Sequence, residues 1–174
     1  MKIGKVNILD IASFVLLHCI KNEISISHLK LQKLLYYIQA WHLVYFSKNQ
    51  IFDEVPEAWV NGPVYRSVYN KFKDFQMYNR LEYKKDKLDK LESEYKDSID
   101  KLNVLSKNQI EFLNAVIGNY ATMSHDKLVL LTHSEDPWNK ARKDCKPFEY
   151  SNNQISIDDM FEFYSSKLNQ KSIS

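Results

Sequence analysis

Glycine, paired cysteines and long apolar runs are all scarce in this 174-residue chain. Only three glycines occur, too few to build a glycine-rich loop that cradles phosphate. Cys19 and Cys145 lie far apart and form no Cys-x-x-Cys pair, so the sequence predicts reduced thiols and a cytoplasmic protein. The apolar run from Ile11 to Ile20 is broken by His18, and it is far shorter than the roughly 20 residues that span a bilayer. We therefore expect no membrane association.

The chain also lacks a strong charge of one sign and any recognisable catalytic motif. Its net charge is +2, which predicts neither a nucleic acid nor an acidic membrane as partner. Ser134 lies beside His133 and near Asp136, but residues on one turn rarely aim at a common point, and no Gly-x-Ser-x-Gly elbow is present. The five histidines show no metal-ligand spacing. The sequence predicts a protein that is not an enzyme and uses no metal or cofactor.

Apolar residues make up 44% of the chain and recur mostly at helical spacing. The length fits one domain, which we place at residues 1–168, followed by a polar tail at 169–174. We predict a mainly α fold: a single compact helical domain of six to eight helices. A small β hairpin or short sheet is expected near residues 51–60, and residues 148–155 could join it.

The strongest helix prediction covers Ser27 to Ser47. Its apolar residues occupy most of the circumference, which is typical of a buried central helix. The segment Tyr83–Lys101 is charged, with apolar residues on one narrow stripe, and predicts an exposed helix. Capping residues indicate the starts of further helices: Asn7, Ser106 with Gln109, Ser124, Asp136 with Pro137, and Ser156 with Asp159.

The best-defined joint in the chain lies between Ala58 and Tyr69. Gly62 can adopt backbone angles that a side chain forbids, and Pro63 fixes its own φ near the helical value. The pair predicts that an extended segment ends here and that a helix begins with Pro63 and continues to near Met77. Large rings at Trp59, Tyr65 and Tyr69 surround the joint. It is either a packed structural corner or a presented binding surface.

A nucleic-acid interpretation rests on the start of the central helix. A first helix, the polar turn Lys21–Ser25 and a second helix that opens with His28, Lys30, Gln32 and Lys33 follow each other as in a helix-turn-helix. The second helix, however, is about 20 residues long and apolar on most sides, which suits a core better than a DNA groove. Direct binding to nucleic acid is therefore the weaker hypothesis.

Several segments form a recognisable set and occur in order along nearly the whole chain: Lys30–Trp41, Phe52–Glu54, Glu57–Tyr65 with Tyr69, Leu131–Trp138 with Ala141 and Arg142, and Ile155–Asp158. Together they resemble the Panacea domain of SocA-like and prophage-associated antitoxins. The resemblance implies an antitoxin that neutralises a cognate toxin encoded beside it, usually by direct protein contact. Two alternatives stay open: a proteolytic adaptor that delivers a toxin to a protease, as in SocA-like members, and a DNA-binding regulator.

Direct neutralisation needs a surface with aromatic and arginine anchors near its centre. Two corners, each with a tryptophan and a proline, are the candidates, although the two corners could instead dock on each other and lock the fold. Arg66 is the residue most expected to point outward. The candidate partner-binding residues are Trp59, Tyr65, Arg66 and Tyr69 around the structural corner Gly62–Pro63, and His133, Asp136 and Trp138 at the second corner.

Overall fold

The computed structural model describes residues 3–74, 81 and 88–171. Within these residues the chain forms eight helices and one two-stranded antiparallel sheet, which confirms the mainly α prediction. No helix in the described ranges is long and apolar enough to cross a membrane. The elements are α1 (Ile8–Lys21), α2 (His28–Tyr45), β1 (Glu57–Trp59), β2 (Gly62–Val64), α3 (Arg66–Phe72), α4 (Leu88–Asp100), α5 (Lys107–Tyr120), α6 (His125–His133), α7 (Asp136–Ala141) and α8 (Ile157–Lys171).

Helix α2 is the centre of the fold, as its apolar circumference predicts. Every residue from His28 to Leu43 is buried. The helix packs against α1, α3, α5, α6, α8 and β2. On the side that faces α8, the rings of Tyr36 and Trp41 meet the edge of the buried Tyr164 ring, with centroids 6.2 and 5.0 Å away. The core of the protein is therefore arranged around one helix.

Helices α1 and α4 form one edge of the molecule. The Asn7 side chain accepts a hydrogen bond from the Leu9 amide and starts α1, as predicted. The Tyr95 ring of α4 stacks on Phe14 of α1, with centroids 5.9 Å apart. Most of α4 is otherwise exposed, as its charge pattern predicts. The beginning of the predicted helix, residues 83–87, lies outside the described residues.

The hairpin is closed by the two residues Val60 and Asn61, because the register pairs Trp59 with Gly62 and Ala58 with Pro63. The Ala58 amide points away from β2 and donates to the carbonyl of Asn153 at 2.8 Å. Pro63, which lies opposite Ala58, therefore has no hydrogen bond to donate between the two strands, so a residue without an amide hydrogen fits there. Gln154 forms a bridge with Glu57, so the segment 148–155 does join the small sheet.

The prediction that a helix begins with Pro63 is wrong. Pro63 is the middle residue of β2, and α3 begins at Arg66 with Tyr65 as its N-terminal cap. A proline φ suits a strand as well as a first helical turn, and here strand pairing decides between the two. Helix α3 ends at Phe72, and the predicted end near Met77 lies outside the described residues.

The remaining helix starts agree with the capping residues. Ser106 and Gln109 form the predicted capping box at α5, and the Ser124 side chain caps α6. At α7 a proline occupies the first turn and Glu135 is the cap. The Asp159 amide donates to the Ser156 side chain at the start of α8. Short-range signals thus place these four helix starts in the folded chain.

Candidate protein-binding surface

Buried polar side chains of α2 hold the irregular chain that leads to the hairpin. The Gln32 Oε1 atom accepts from the Tyr65 amide at 2.8 Å, and its Nε2 donates to the Tyr65 carbonyl at 3.2 Å. Gln39 repeats this arrangement with the Ile51 amide and the Phe52 carbonyl, at 3.0 and 2.9 Å. A buried peptide group without such partners costs about 1–3 kcal/mol. These two glutamines therefore fix the position of residues 51–65.

Lys33 supports the hairpin directly. Its fully buried Nζ donates to the carbonyl of Pro63 at 2.9 Å, and burial holds the pKa of this amine well below its usual range. Gly62 lies against it with φ +93°, and a Cβ there would be 2.8 Å from Nζ and 2.7 Å from the Thr132 hydroxyl. Only glycine fits both the backbone angle and the space.

Residues Glu57, Trp59, Arg66, Tyr69 and Tyr150 form a half-exposed patch on the hairpin, here called the hairpin surface. Arg66 donates to both carboxylate oxygens of Glu57, from Nε at 2.7 Å and from Nη2 at 2.5 Å. Burial alone would raise the pKa of Glu57, but the bonds from Arg66 and Trp59 and the arginine charge lower it. The bidentate pair fixes the guanidinium plane.

Aromatic rings surround that guanidinium. Arg66 lies over the Trp59 ring, 5.3 Å from its centroid, and its Nη2 donates to the Tyr150 hydroxyl at 3.3 Å. The Tyr69 ring meets Trp59 edge-on at 4.7 Å. The Trp59 indole nitrogen donates to Glu57 at 2.7 Å. The hairpin surface is therefore a set of rings and one cation that hold each other in place.

Arg142 holds the loop that brings Tyr150 to this surface. Its buried guanidinium donates to three backbone carbonyls: Ala58 at 2.8 Å, Lys146 at 3.3 Å and Glu149 at 2.7 Å. The Glu149 carboxylate in turn accepts from the Lys146 amide. These bonds tie residues 146–149 to the hairpin and limit the conformations open to the loop.

Two rings project from the same loop into solvent. Phe148 is 89% exposed and Tyr150 is 63% exposed. Water does not favour a bare phenylalanine ring, whereas a rigid exposed ring suits a contact with another protein. The loop thus extends the aromatic character of the hairpin surface beyond the residues that the sequence predicts.

The two predicted corners are in contact. The Trp138 indole nitrogen donates to the Trp59 carbonyl at 3.0 Å, and the His133 ring stacks on Trp138 with centroids 4.1 Å apart. Trp138 is almost completely buried, and Asp136 is exposed. Burial lowers the pKa of His133 and nearby Lys33 adds to this effect, while a hydrogen bond to the Val60 backbone opposes it.

Of the predicted binding residues, Tyr65 is the one that lies deepest. Its side chain is fully buried and its ring meets Phe52 edge-on at 5.2 Å, so it cannot touch a partner on the folded protein. Arg66, Trp59 and Tyr69 lie together at the surface around the Gly62–Pro63 corner. Sequence reasoning missed Glu57 and Tyr150 as members of the site. Glu57 and Trp59 are alternate residues of one strand and share a face of it, so the sequence does carry a signal for Glu57. It carries no such signal for Tyr150.

Ser134 and His133 make separate contacts and do not form a nucleophile–base pair. The Ser134 hydroxyl donates to the Leu131 carbonyl at 2.7 Å, while the neighbouring His133 ring lies on Trp138. Cys19 is buried in the core, and burial raises the pKa of its thiol to about 11. In the part of the chain that the structure describes, no group of three or more metal-ligating side chains could hold an ion.

The start of α2 is also unsuited to a DNA groove. His28, Lys30, Gln32 and Lys33, the residues that a recognition helix would present, are all buried. Lys30 Nζ donates to the Ser25 carbonyl, and Gln32 and Lys33 are occupied by the hairpin backbone. A base edge could not reach them without unfolding this region.

A sequence model of the family described as "Antitoxin SocA-like, Panacea domain" matches residues 31–139 of the chain. This range holds more than half of the 174 residues and extends from α2 to α7. It includes four members of the hairpin surface: Glu57, Trp59, Arg66 and Tyr69. No curated protein and no solved structure matches the chain.

Proposed function

We propose that this chain, which belongs to the SocA-like antitoxin family with a Panacea domain, neutralises a cognate toxin by binding it directly. The family suggests the antitoxin role. Direct binding through the hairpin surface is our own inference, and the toxin is expected to be the product of a neighbouring gene. We place the encounter in the cytoplasm, where Cys19 and Cys145, both free thiols, would stay reduced.

The observation that carries this proposal is the preorganised arginine and aromatic patch. Arg66 is held by Glu57 and lies over the Trp59 ring, with Tyr150 beside it. Tryptophan, tyrosine and arginine are the residues that most often dominate the energy of protein–protein contacts. Because hydrogen bonds already fix this patch, little side-chain freedom is lost when a partner binds.

The chemistry of the patch also indicates what the toxin presents. Among the described residues no group accepts from the Arg66 Nη1 atom, while Nε and Nη2 are taken by Glu57 and Tyr150. A backbone carbonyl or a carboxylate of the toxin would satisfy Nη1. The exposed rings of Tyr150 and Phe148 would cover an apolar part of the toxin beside that acceptor.

The test is co-expression of this chain with the product of the neighbouring gene, followed by co-purification and a binding titration. The wild-type chain should rescue growth and bind the toxin. Arg66→Ala and Tyr150→Ala should each weaken binding by about 10- to 100-fold and reduce the rescue. Lys96→Ala, on the exposed face of α4, is the matched control and should bind like the wild type.

Two results would contradict the proposal. A neighbouring product that is harmless removes the antitoxin role itself, and a toxic product that does not co-purify with the chain removes direct binding. Rescue and affinity that are unchanged in both hairpin variants would keep the antitoxin role but move the contact to another surface. Circular dichroism of each variant checks that a loss of binding is not a loss of fold.

Two measurements test the two alternatives: the half-life of the toxin during co-expression, and a shift of promoter DNA by the purified chain. A proteolytic adaptor would shorten the half-life of the toxin, whereas direct neutralisation leaves the half-life unchanged or longer. A regulator of its own operon would shift promoter DNA in a manner that weakens steeply with salt. We expect neither effect from the chain alone.

A further inference from the structure

A cleft of about 800 Å³ runs along α5. Helix α2 contributes Trp41 and Tyr45, and α8 contributes Lys167 and Leu168. None of its lining residues belongs to the hairpin surface. The cleft is therefore a second region to which no role has been given.

The shape of the cleft follows a helix. Its α5 residues begin at Asn108 and end at Tyr120, and they recur at intervals of three and four along one face. At about 1.5 Å per residue this face is roughly 18 Å long, the length of about three helical turns. Phe112, Val116 and Leu131 give the cleft apolar lining, and Asn108 and Asn119 add polar groups. A groove of this kind accepts the apolar face of another helix.

The carboxylates and aromatic rings that line the cleft favour the binding of a positively charged group. Two carboxylates, Glu111 and Glu135, line it against one ammonium, Lys167. Five aromatic residues also line it, and the faces of such rings attract positive charge. The rings are those of Trp41, Tyr45, Phe46, Phe112 and Tyr120.

Lys167 shows how a basic side chain is held here. Its Nζ lies 3.0 Å from the buried Glu135 carboxylate and 5.5 and 5.7 Å from the ring centroids of Phe163 and Tyr164. Glu135 also accepts from the Tyr164 hydroxyl at 2.6 Å. Glu111, by contrast, pairs among the described residues only with Lys107, at 3.7 Å on the exposed surface, and such pairs contribute little. Glu111 is the carboxylate that remains open to an incoming cation.

From these observations we propose that the cleft binds an amphipathic α-helix whose apolar face carries a lysine or arginine at its edge. The apolar residues would lie on Phe112, Val116 and Trp41, and the basic residue would pair with Glu111. The proposal stands independently of toxin binding at the hairpin surface, because the two regions share no residue.

The experiment uses two labelled 14-residue peptides with the same leucine face, one with lysines and one with glutamates on the polar face. Fluorescence anisotropy with the full chain should show micromolar binding of the lysine peptide and at least tenfold weaker binding of the glutamate peptide. Glu111→Gln should weaken the lysine peptide about two- to fivefold.

Ala115→Arg fills the cleft from an exposed position of α5 and should weaken the lysine peptide by more than tenfold. Asn114→Arg adds the same charge on the same helix, at an exposed residue that does not line the cleft, and should bind like the wild type. Equal losses in these two variants, equal binding of both peptides, or no binding would overturn the proposal. So would a dimer of the chain that Ala115→Arg dissociates, since a second copy would then occupy the cleft.

Discussion

The two sides of α2 are built from different kinds of residue, although both are buried. The side toward the hairpin carries Gln32, Lys33 and Gln39, whose polar atoms bond to backbone groups. The side toward α5 and α8 carries Tyr37 and Trp41, which meet rings of those helices. One helix therefore supports an irregular segment on one side, here called the hydrogen-bonding side, and regular helices on the other, here called the ring-rich side.

The difference follows from what each neighbour needs. A helix satisfies its own peptide groups, so its neighbours need only shape and apolar surface. The chain from residue 49 to residue 65 contains only short strands, and its buried amides and carbonyls need partners from outside. His42 is one of these partners, since its Nδ1 donates to the Asn49 carbonyl at 2.7 Å. Stability should accordingly depend on packing on one side and on hydrogen bonds on the other.

The largest effect is expected from Trp41→Ala on the ring-rich side. Trp41 is 8% exposed, packs against Tyr164, and donates from its indole nitrogen to the Tyr120 hydroxyl at 2.8 Å. Removing the ring should lower the free energy of unfolding by about 3–5 kcal/mol, measured by urea unfolding. Tyr45→Ala, one turn along α2 at a residue 59% exposed, is the control and should change it by less than about 1 kcal/mol. A folded Trp41→Ala variant of undiminished stability would contradict the central position of this ring.

On the hydrogen-bonding side we expect a somewhat smaller effect from Gln32→Met. Methionine keeps the length of the side chain, but it leaves the Tyr65 amide without its acceptor and removes one of the two donors to the Tyr65 carbonyl, the other being the Tyr69 amide. The free energy of unfolding should fall by about 2–4 kcal/mol. Leu35→Met, a buried substitution of similar volume in the same helix, should cost less than about 1.5 kcal/mol. If the free energy of unfolding falls equally in both variants, then packing rather than hydrogen bonding determines stability on this side too.

A pH titration tests the same side through His28 and His42. Burial lowers the pKa of each to about 4, helped at His28 by nearby Lys33 and opposed at His42 by its bond to Asn49. The ordinary histidine pKa is about 6.5, so below that pH the unfolded chain binds protons that the folded chain does not. Stability should therefore be complete above pH 6.5 and decline toward pH 4, by about 1–2 kcal/mol for each histidine at pH 5.

His28→Phe separates this titration from acid effects elsewhere in the protein. Phenylalanine keeps a ring beside Tyr69, on which His28 stacks at 5.7 Å, but it binds no proton. Between pH 7 and pH 5 the variant should lose about 1–2 kcal/mol less stability than the wild type, whatever its stability at pH 7. An equal loss in both proteins would show that His28 does not contribute.

Local signals in the sequence were sufficient for much of the fold. The apolar circumference predicts α2, the Ser106 capping box predicts α5, and the Gly62–Pro63 pair marks the corner correctly. The predicted start of α3 is wrong by three residues. The φ angle of a proline suits both strands and helix starts, and the pairing of Pro63 with Ala58 is not visible in the local sequence. The polar residues of α2 were the missed signal. Gln32 and Lys33 on a helix that is apolar nearly all round indicate backbone groups that need partners.

The candidate site was predicted less completely than the fold. Arg66 and Trp59 are close in sequence, so their meeting could be anticipated. Tyr150 reaches them from a loop that Arg142 ties to Ala58, and a contact between residues 84 positions apart leaves no local pattern. Tyr65 is predicted among the candidate partner-binding residues because it lies beside the Gly62–Pro63 corner, whereas it caps α3 and its side chain is buried in the core.

The smallest effect, and one of opposite sign, is expected at a glycine on the ring-rich side. Gly118 lies exposed within α5, and a Cβ built on it has no atom within 4 Å. Gly118→Ala should therefore raise the free energy of unfolding by about 0.5–1 kcal/mol, because alanine restricts the unfolded chain and suits a helix. Gly62→Ala on the hydrogen-bonding side is the comparison, and it should lower stability because its Cβ would meet Lys33 and Thr132. Changes of the same sign in urea unfolding would contradict the distinction, since only one of these glycines lies where a side chain has room.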